Sequence, residues 1–345
     1  MTNQHEITKR MPLLNREGNL TEPGWARGLL WDYHRPDIRA SGMRIKEWDY
    51  YFVSNGHIGL ALTIADNGYM GLDSVSYLDF DEKWEITKSP MRLLPMGKTA
   101  LPETSAAGSS EIARGGYALA FYHDDDGTRK LTFHMDKFRG KDAIEGMISL
   151  SDEPAESMVI ATPFEESGHF YYNQKINCMR AAGWIELGGA RVELEPETWF
   201  AVLDWGRGVW TYHNTWYWGS ASGEVDGVPF GWNIGYGFGD TSAASENVLF
   251  YGGKIHKLSQ VRFEIPMQDG KEDYLKPWRF SSDDGRFEMA FTPILNRAAY
   301  TSVGVIKSDQ NQVFGRFTGM AALDDGTVLQ VNDFFGFAEK VENKW

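Results

Sequence analysis

Residues 116–138 read GYALAFYHDDDGTRKLTFHMDKF. The second arm alternates in Lys130-Leu131-Thr132-Phe133-His134-Met135. A period of two places successive side chains on opposite faces of an extended chain, so one face of such an arm is buried. Between the arms, Asp126-Gly127 supplies residues that tolerate the positive φ of a tight hairpin. The stretch is therefore two antiparallel strands joined by a turn.

The same pattern recurs on both sides of it. Upstream lies GHIGLALTIADNGYMGLDSVSYLDF (56–80). Downstream come GWIELGGARVELEP (183–196), VDGVPFGWNIGYGFG (225–239), NVLFYGGKIHKLSQVRFEI (247–265), SSDDGRFEMAF (281–291) and AALDDGTVLQVNDFF (321–335). Asn67-Gly68, Gly188-Gly189, Asp226-Gly227, Gly252-Gly253, Asp284-Gly285 and Asp325-Gly326 mark further hairpins. Hairpin after hairpin implies antiparallel meanders, and closing them into barrels would remove exposed edges. The expected fold is all-β: two antiparallel β-barrel or sandwich halves with few short helices, these at 141–147 and 153–159.

At 345 residues the chain exceeds the usual single core, so two domains are expected. Pro12, Pro23 and Gly24 make residues 1–24 an extended arm. The first β domain then spans 25–197 and the second 198–345, with the boundary near Glu195-Pro196-Glu197. An internal echo points to a duplicated module: WDYYFVSNG at 48–56 and WYWGSASG at 216–223 each open a glycine-rich strand pair. DGTRKLTFHM and DGRFEMAF follow at comparable distances.

Thirteen Trp, 15 Tyr and 20 Phe are an aromatic excess that suits both strands and ligand pockets. A net charge of −14 repels phosphate backbones and anionic lipid, which argues against nucleic-acid and membrane partners. No apolar run is long enough to cross a bilayer, and the first residues lack the core of a signal peptide. Cys178 stands alone, as a small packed residue of a reducing compartment. The expected location is the cytoplasm; oligomeric state is left open.

The most unusual segment is LDWGRGVWTYHNTWYWGS, 203–220, with four Trp and two Tyr within fourteen residues, interleaved with Asp204, Arg207, His213 and Asn214. Rings carrying an N–H or O–H suit an apolar site that needs a few directional contacts. The alternative is that they fill the junction between the halves. Trp205, Trp210, Trp216, Trp218, Trp232 and Tyr236 are the candidate ligand-binding rings, with Asn214 and Asn233 to orient a polar end. Trp48 and Tyr50, on one face of an earlier strand, form a lesser cluster. A carboxylic acid beside indoles has its pKa raised and becomes a proton donor; Glu246 and Asp204 are the first candidates, with Asp226 behind them. His213 is the leading imidazole and His256 the second.

Phosphate-loop, HExxH, CxxC and nucleophile-elbow signatures are missing, and Gly231–Gly239 lacks the helix of a dinucleotide fingerprint. Asp124-Asp125-Asp126-Gly127 lacks the closing glutamate of a calcium loop and reads as a hairpin tip. Neither a metal nor another cofactor is expected.

LDWGRGVWTYHNTWYWGSASG, WNIGYGFG with ENVLFYGGKIHKL, and WDYYF with GYMGLDSVSYLDF together resemble the bacterial family called domain of unknown function 2804. That family is similar to the calycin group of AttH-like proteins, carotenoid hydratases and tocopherol cyclases. The resemblance implies two lipocalin-like halves with an apolar ligand cleft, and it supplies no catalytic motif. The leading expectation is a cofactor-independent, acid-catalysed hydration, cyclisation or isomerisation of an apolar or amphipathic small molecule. A non-catalytic carrier or sensor of a lipid-like ligand, and carbohydrate binding or conversion, stand as alternatives.

Overall fold

The computed structural model describes residues 4–124, 126–304 and 306–344; Asp125 of the acidic hairpin tip lies outside them. Among the described residues, helix is limited to one 3-10 turn, Arg35–Asp37. The two helices expected from the sequence are absent. Asp142–Ser151 and Met158–Pro163 are strands instead. In the first of these, Ile144, Gly146, Ile148 and Leu150 are buried at a spacing of two. Pairing with Arg129–Arg139 buries that face, and tertiary burial outweighs local helix propensity.

Two large antiparallel sheets are built on one plan. In the first, a run of hairpins joins Ile45–Ser54, Ile58–Asp66, Met70–Asp79 and Trp84–Lys88. A second run joins Gly108–Arg114, Tyr117–His123, Arg129–Arg139, Asp142–Ser151, Phe170–Leu187 and Phe200–Val209. Its last strand returns to pair with the first strand of the first run, Phe200–Val209 against Ile45–Ser54. The second sheet repeats this. His213–Val225, Val228–Tyr236, Val248–Tyr251 and Lys254–Lys257 form its first run. Val261–Glu264, Trp278–Ser282, Phe287–Val303, Ile306–Ala322 and Val328–Lys344 form its second. The last of these pairs with His213–Val225. The Asp126-Gly127 and Asp284-Gly285 turns each precede the third strand of a second run, so the sequence echo has a topological counterpart. At Asp226-Gly227, φ values of 53° and 75° make the two-residue turn that fixes the Val225–Val228 register.

The sheets change over at Trp210–Tyr212. A boundary at 197/198 would detach Phe200–Val209, which hydrogen bonding places within the first sheet. Each sheet curls around its own core: one apolar cluster draws on residues up to Val209, and another on residues from Ala221 onward. Two smaller clusters mix the sheets and form the seam between them. The N-terminal arm bridges both, with Ile7, Leu13 and Leu14 in the first core and Gln4 donating to the Leu258 carbonyl at 2.7 Å.

Arg207 is among the charged groups fully enclosed within the first sheet. Arg207 is 0% exposed, stacks on Trp205 at 4.2 Å, pairs with Asp49 at 3.0 Å and donates to the carbonyls of Trp48 and Pro102. Removing one partner of a buried pair strands the other charge. Arg207→Met is therefore expected to cost about 3–5 kcal/mol, read as a lowered urea midpoint with an unchanged slope.

Candidate functional site

Along Phe200–Val209, odd-numbered residues such as Leu203 and Trp205 enter the first core, and even-numbered residues face the seam. Antiparallel register then lines up a row across five strands: Lys175, Asp204, Tyr50, Thr63 and Ser74. The second sheet presents an opposing row of Gly235, Trp218, Glu339, Gln312 and Arg297. Between the rows lies a cleft of about 300 Å³.

One end of the cleft is an aromatic box. Trp48 stacks on Tyr171 with centroids 6.2 Å apart and meets the edge of Trp210 at 5.2 Å. Phe238 packs edge-on against Trp210 at 4.7 Å and Trp216 at 5.2 Å. Trp48 lies directly over Gly206, where a Cβ would stand 1.9 Å from the indole Cζ2. Glycine is the residue that allows this ring to lie flat on the sheet.

The middle of the cleft is ionisable. Lys175 Nζ stands 2.9 Å from Asp204 Oδ1 and 4.0 Å from the centre of the Trp218 ring. Asp204 also accepts from Asn173 Nδ2 at 2.6 Å. Glu246 accepts from Asn233 Nδ2 at 3.1 Å, and Asn233 Oδ1 accepts from the Trp218 indole at 2.7 Å. Burial pushes the Glu246 carboxyl up, against the pull of Lys175. Glu339 accepts from Trp216 Nε1 at 3.0 Å and from Gln312 Nε2 at 3.1 Å. Burial drives its carboxyl up to about 7, with the Trp216 hydrogen bond, Arg297 and Lys175 opposing and Asp204 adding to the rise. Burial likewise holds the Tyr50 phenol near 12, so it is a neutral donor at physiological pH. Among the described residues no cluster of His, Cys, Asp and Glu has the geometry to hold a metal ion.

Of the candidates named from the sequence, Trp48, Tyr50, Asp204, Trp210, Trp216, Trp218 and Glu246 line the cleft. Asn233 stands behind it, holding Glu246 and Trp218. The others lie elsewhere. Trp205 points into the first core, edge-on to Tyr33 and Tyr172, because its parity on the strand is opposite to that of Asp204. Trp232 is 0% exposed in the second core among Phe230, Phe287 and Phe317. Tyr236 stacks on Tyr217 at 4.5 Å, off the cleft. Asn214 closes a turn with Thr211, and His213 sits exposed beside Glu342 at 3.3 Å. Asp226 occupies the hairpin tip, and His256 accepts from the Asp324 amide at 3.2 Å. The sequence reading missed Lys175, Glu339, Arg297, Gln312, Tyr171 and Phe238.

These features define an all-β protein of two curled sheets, alike in plan, with an aromatic and acidic cleft at their seam. The chain belongs to the family described as Domain of unknown function (DUF2804), which matches residues 4–345. No curated protein matches its sequence. Among solved structures it is similar to a putative AttH from Nitrosomonas europaea, with TM-score 0.52 and 13% identity over 86% of this chain and 92% of that one. It is also similar to CghA, with TM-score 0.49 and 11% identity over 97% of each chain. Kievitone hydratase from Nectria haematococca gives TM-score 0.47 and 7% identity over 97% of this chain and 98% of that one. The first likeness shows a shared fold. No helix among the described residues is long and apolar enough to cross a membrane.

A carboxyl raised on folding binds its proton more tightly in the native state than in the unfolded chain. Its effect on stability therefore declines as pH rises from the ordinary value of 4.5 to about 7, and is level above that. Urea denaturation across this window should show wild type losing stability relative to Glu339→Gln. Gln312→Lys, which places an ammonium beside the carboxyl, should shift the upper end of the window downward.

Proposed function

We propose that the cleft carries out cofactor-independent acid–base chemistry on an apolar or amphipathic small molecule: addition or loss of water, ring closure or double-bond migration. The observation that carries this reading is Glu339, a carboxyl brought to about 7 within a cleft walled by indoles. A general acid is most effective when its pKa lies near the working pH. Asp204 is the weaker donor of the two first considered, because Lys175 and Asn173 both engage its Oδ1 and the ammonium favours the carboxylate form.

In a hydration, Glu339 gives its proton to one carbon of a double bond. Water adds to the other carbon, and the proton that water sheds returns to the Glu339 carboxylate. Positive charge developing on the carbon faces the π systems of Trp216 and Trp218, worth about 1–2 kcal/mol for a well-placed ring. Glu246 is a second carboxyl at the same wall, and the Lys175–Asp204 pair fixes the polarity between them. Trp210, Trp216 and Phe238 meet edge to face rather than presenting one flat shelf, which favours an apolar ligand over a sugar that needs an open stacking platform. The buried lone Cys178, its thiol pushed up to about 12 by burial, supports a packing role and a cytoplasmic home.

The first experiment is native mass spectrometry of protein purified from its source, with identification of any co-purifying small molecule and a search for its conversion. With a substrate in hand, Glu339→Gln should lower kcat by about 10²–10⁴-fold. Wild-type kcat should fall as pH rises through about 7, because the donor loses its proton. Asp204→Asn should act more weakly. Full activity in Glu339→Gln would overturn the mechanism, and a ligand released unchanged under all conditions would make the protein a carrier.

A further inference from the structure

Lys175 has its counter-ion in the cleft, whereas Arg297 meets none. Arg297 lies on the long hairpin of Phe287–Val303 and Ile306–Ala322, which reaches across to the first sheet. There its Nη1 donates to Ser76 Oγ at 2.8 Å. No carboxylate among the described residues comes within ion-pair reach of its guanidinium. The acids that share the cleft are turned to other partners: Asp204 to Lys175, Glu246 to Asn233, Glu339 to Trp216 and Gln312, and Glu85 to the Thr87 hydroxyl at 2.8 Å. The wall near Arg297 is hydroxylic, with the Ser74 and Ser89 oxygens 2.9 Å apart. A guanidinium cannot be deprotonated in a protein, so Arg297 holds a permanent positive charge at this end of the cleft while the other end is an indole box.

We propose that Arg297 receives a carboxylate of the substrate, so that the molecule converted is an apolar monocarboxylic acid lying along the cleft. Its apolar body occupies the box of Trp48, Trp210 and Trp216, and its acid end meets Arg297 and the serine and threonine hydroxyls. One guanidinium carries a single positive charge and matches a monoanion, and its fork of N–H groups can donate to both oxygens of a carboxylate. Register sets the position of the reacting atom. Arg297, Gln312 and Glu339 sit side by side on three consecutive strands, so about 10 Å of sheet separates the anion site from the proton donor. The group protonated is thus several bonds from the carboxylate, a remote double bond or ring oxygen rather than one conjugated to the acid. This inference rests on the reading of the cleft as a small-molecule site.

The test measures binding to the intact chain by calorimetry and quenching of indole fluorescence. The probes are aryl and alkyl carboxylates of about ten carbons, each compared with the primary alcohol of the same skeleton. Wild type should prefer the carboxylates by about tenfold or more, the scale of a hydrogen bond to a charged group. The preference should vanish in Arg297→Gln and survive in part in Arg297→Lys. Equal affinity for acid and alcohol, or a preference retained in Arg297→Gln, would overturn the anion site and leave the apolar cleft standing. Failure of both series to bind would overturn the cleft reading as well. Should Arg297→Gln fail to fold, the wild-type preference decides alone: it must be present, and must shrink as added salt screens the guanidinium.

Discussion

Strand Phe200–Val209 runs between two apolar volumes, the core of the first sheet and the seam against the second, so each of its residues must be apolar, be glycine or bring a matched partner. Arg207 meets that demand with Asp49 and backbone carbonyls, and Asp204 meets it with Lys175 and Asn173. Gly206 meets it by yielding its space to Trp48. Along the seam, apolar side chains of this strand, of Ile45–Ser54 and of His213–Val225 close part of the gap, and the cleft lies where Lys175, Asp204, Glu246 and Glu339 face it. Polar residues that face the seam hold its two sides apart.

Such an arrangement is a poor way to gain stability. A buried ion pair seldom recovers the desolvation of both charges, and an apolar pair of the same volume often serves the fold better. The same holds for Glu246 and Glu339, whose carboxyls burial moves upward. Concentrating these groups around a space lined by rings is the pattern of a site whose chemistry tolerates a structural cost. The two apolar cores supply the compensating burial, with fully enclosed rings such as Trp205, Trp232 and Trp278.

The all-β class was legible in the sequence because turns and alternation are local signals, and a pair such as Asp226-Gly227 specifies its own geometry. The aromatic segment was legible as special, and Trp210, Trp216 and Trp218 do reach the cleft. Trp205 misled because alternate residues of one strand face opposite ways, and parity is settled only when the neighbouring strands are known. Trp232 misled in the same way, its ring falling to the barrel side of a strand buried on both faces. Glu339 and Arg297 come from the last third of the chain, where nothing local separates a cleft residue from the surface charges around it; only pairing across the sheet sets Glu339 beside Trp218 and Arg297 two strands further along. Lys175 did leave a trace, since Asn173, Gln174, Lys175 and Asn177 fall together within Phe170–Met179, whose other residues are aromatic, aliphatic or sulfur-bearing, and buried polar groups require partners.

The repeated plan sets an acid at the equivalent point of each sheet and gives the two acids different surroundings. In each sheet the closing strand places an acid beside an aromatic residue of the opening strand: Asp204 pairs with Tyr50, and Glu339 with Trp218. Two residues earlier on each opening strand stand Trp48 and Trp216, the positions of the sequence echo. The sheets differ in what the penultimate strand sets next to the acid. In the first sheet it is Lys175, at ion-pair distance; in the second it is Gln312, which offers a hydrogen bond and no charge. Asp204 thereby gains a counter-ion, whereas Glu339 meets burial without one and its carboxyl rises. Two sheets of one plan thus hold acids at matching points in different settings, one in an ion pair with Lys175 and one buried beside the uncharged amide of Gln312, through the identity of one neighbouring side chain.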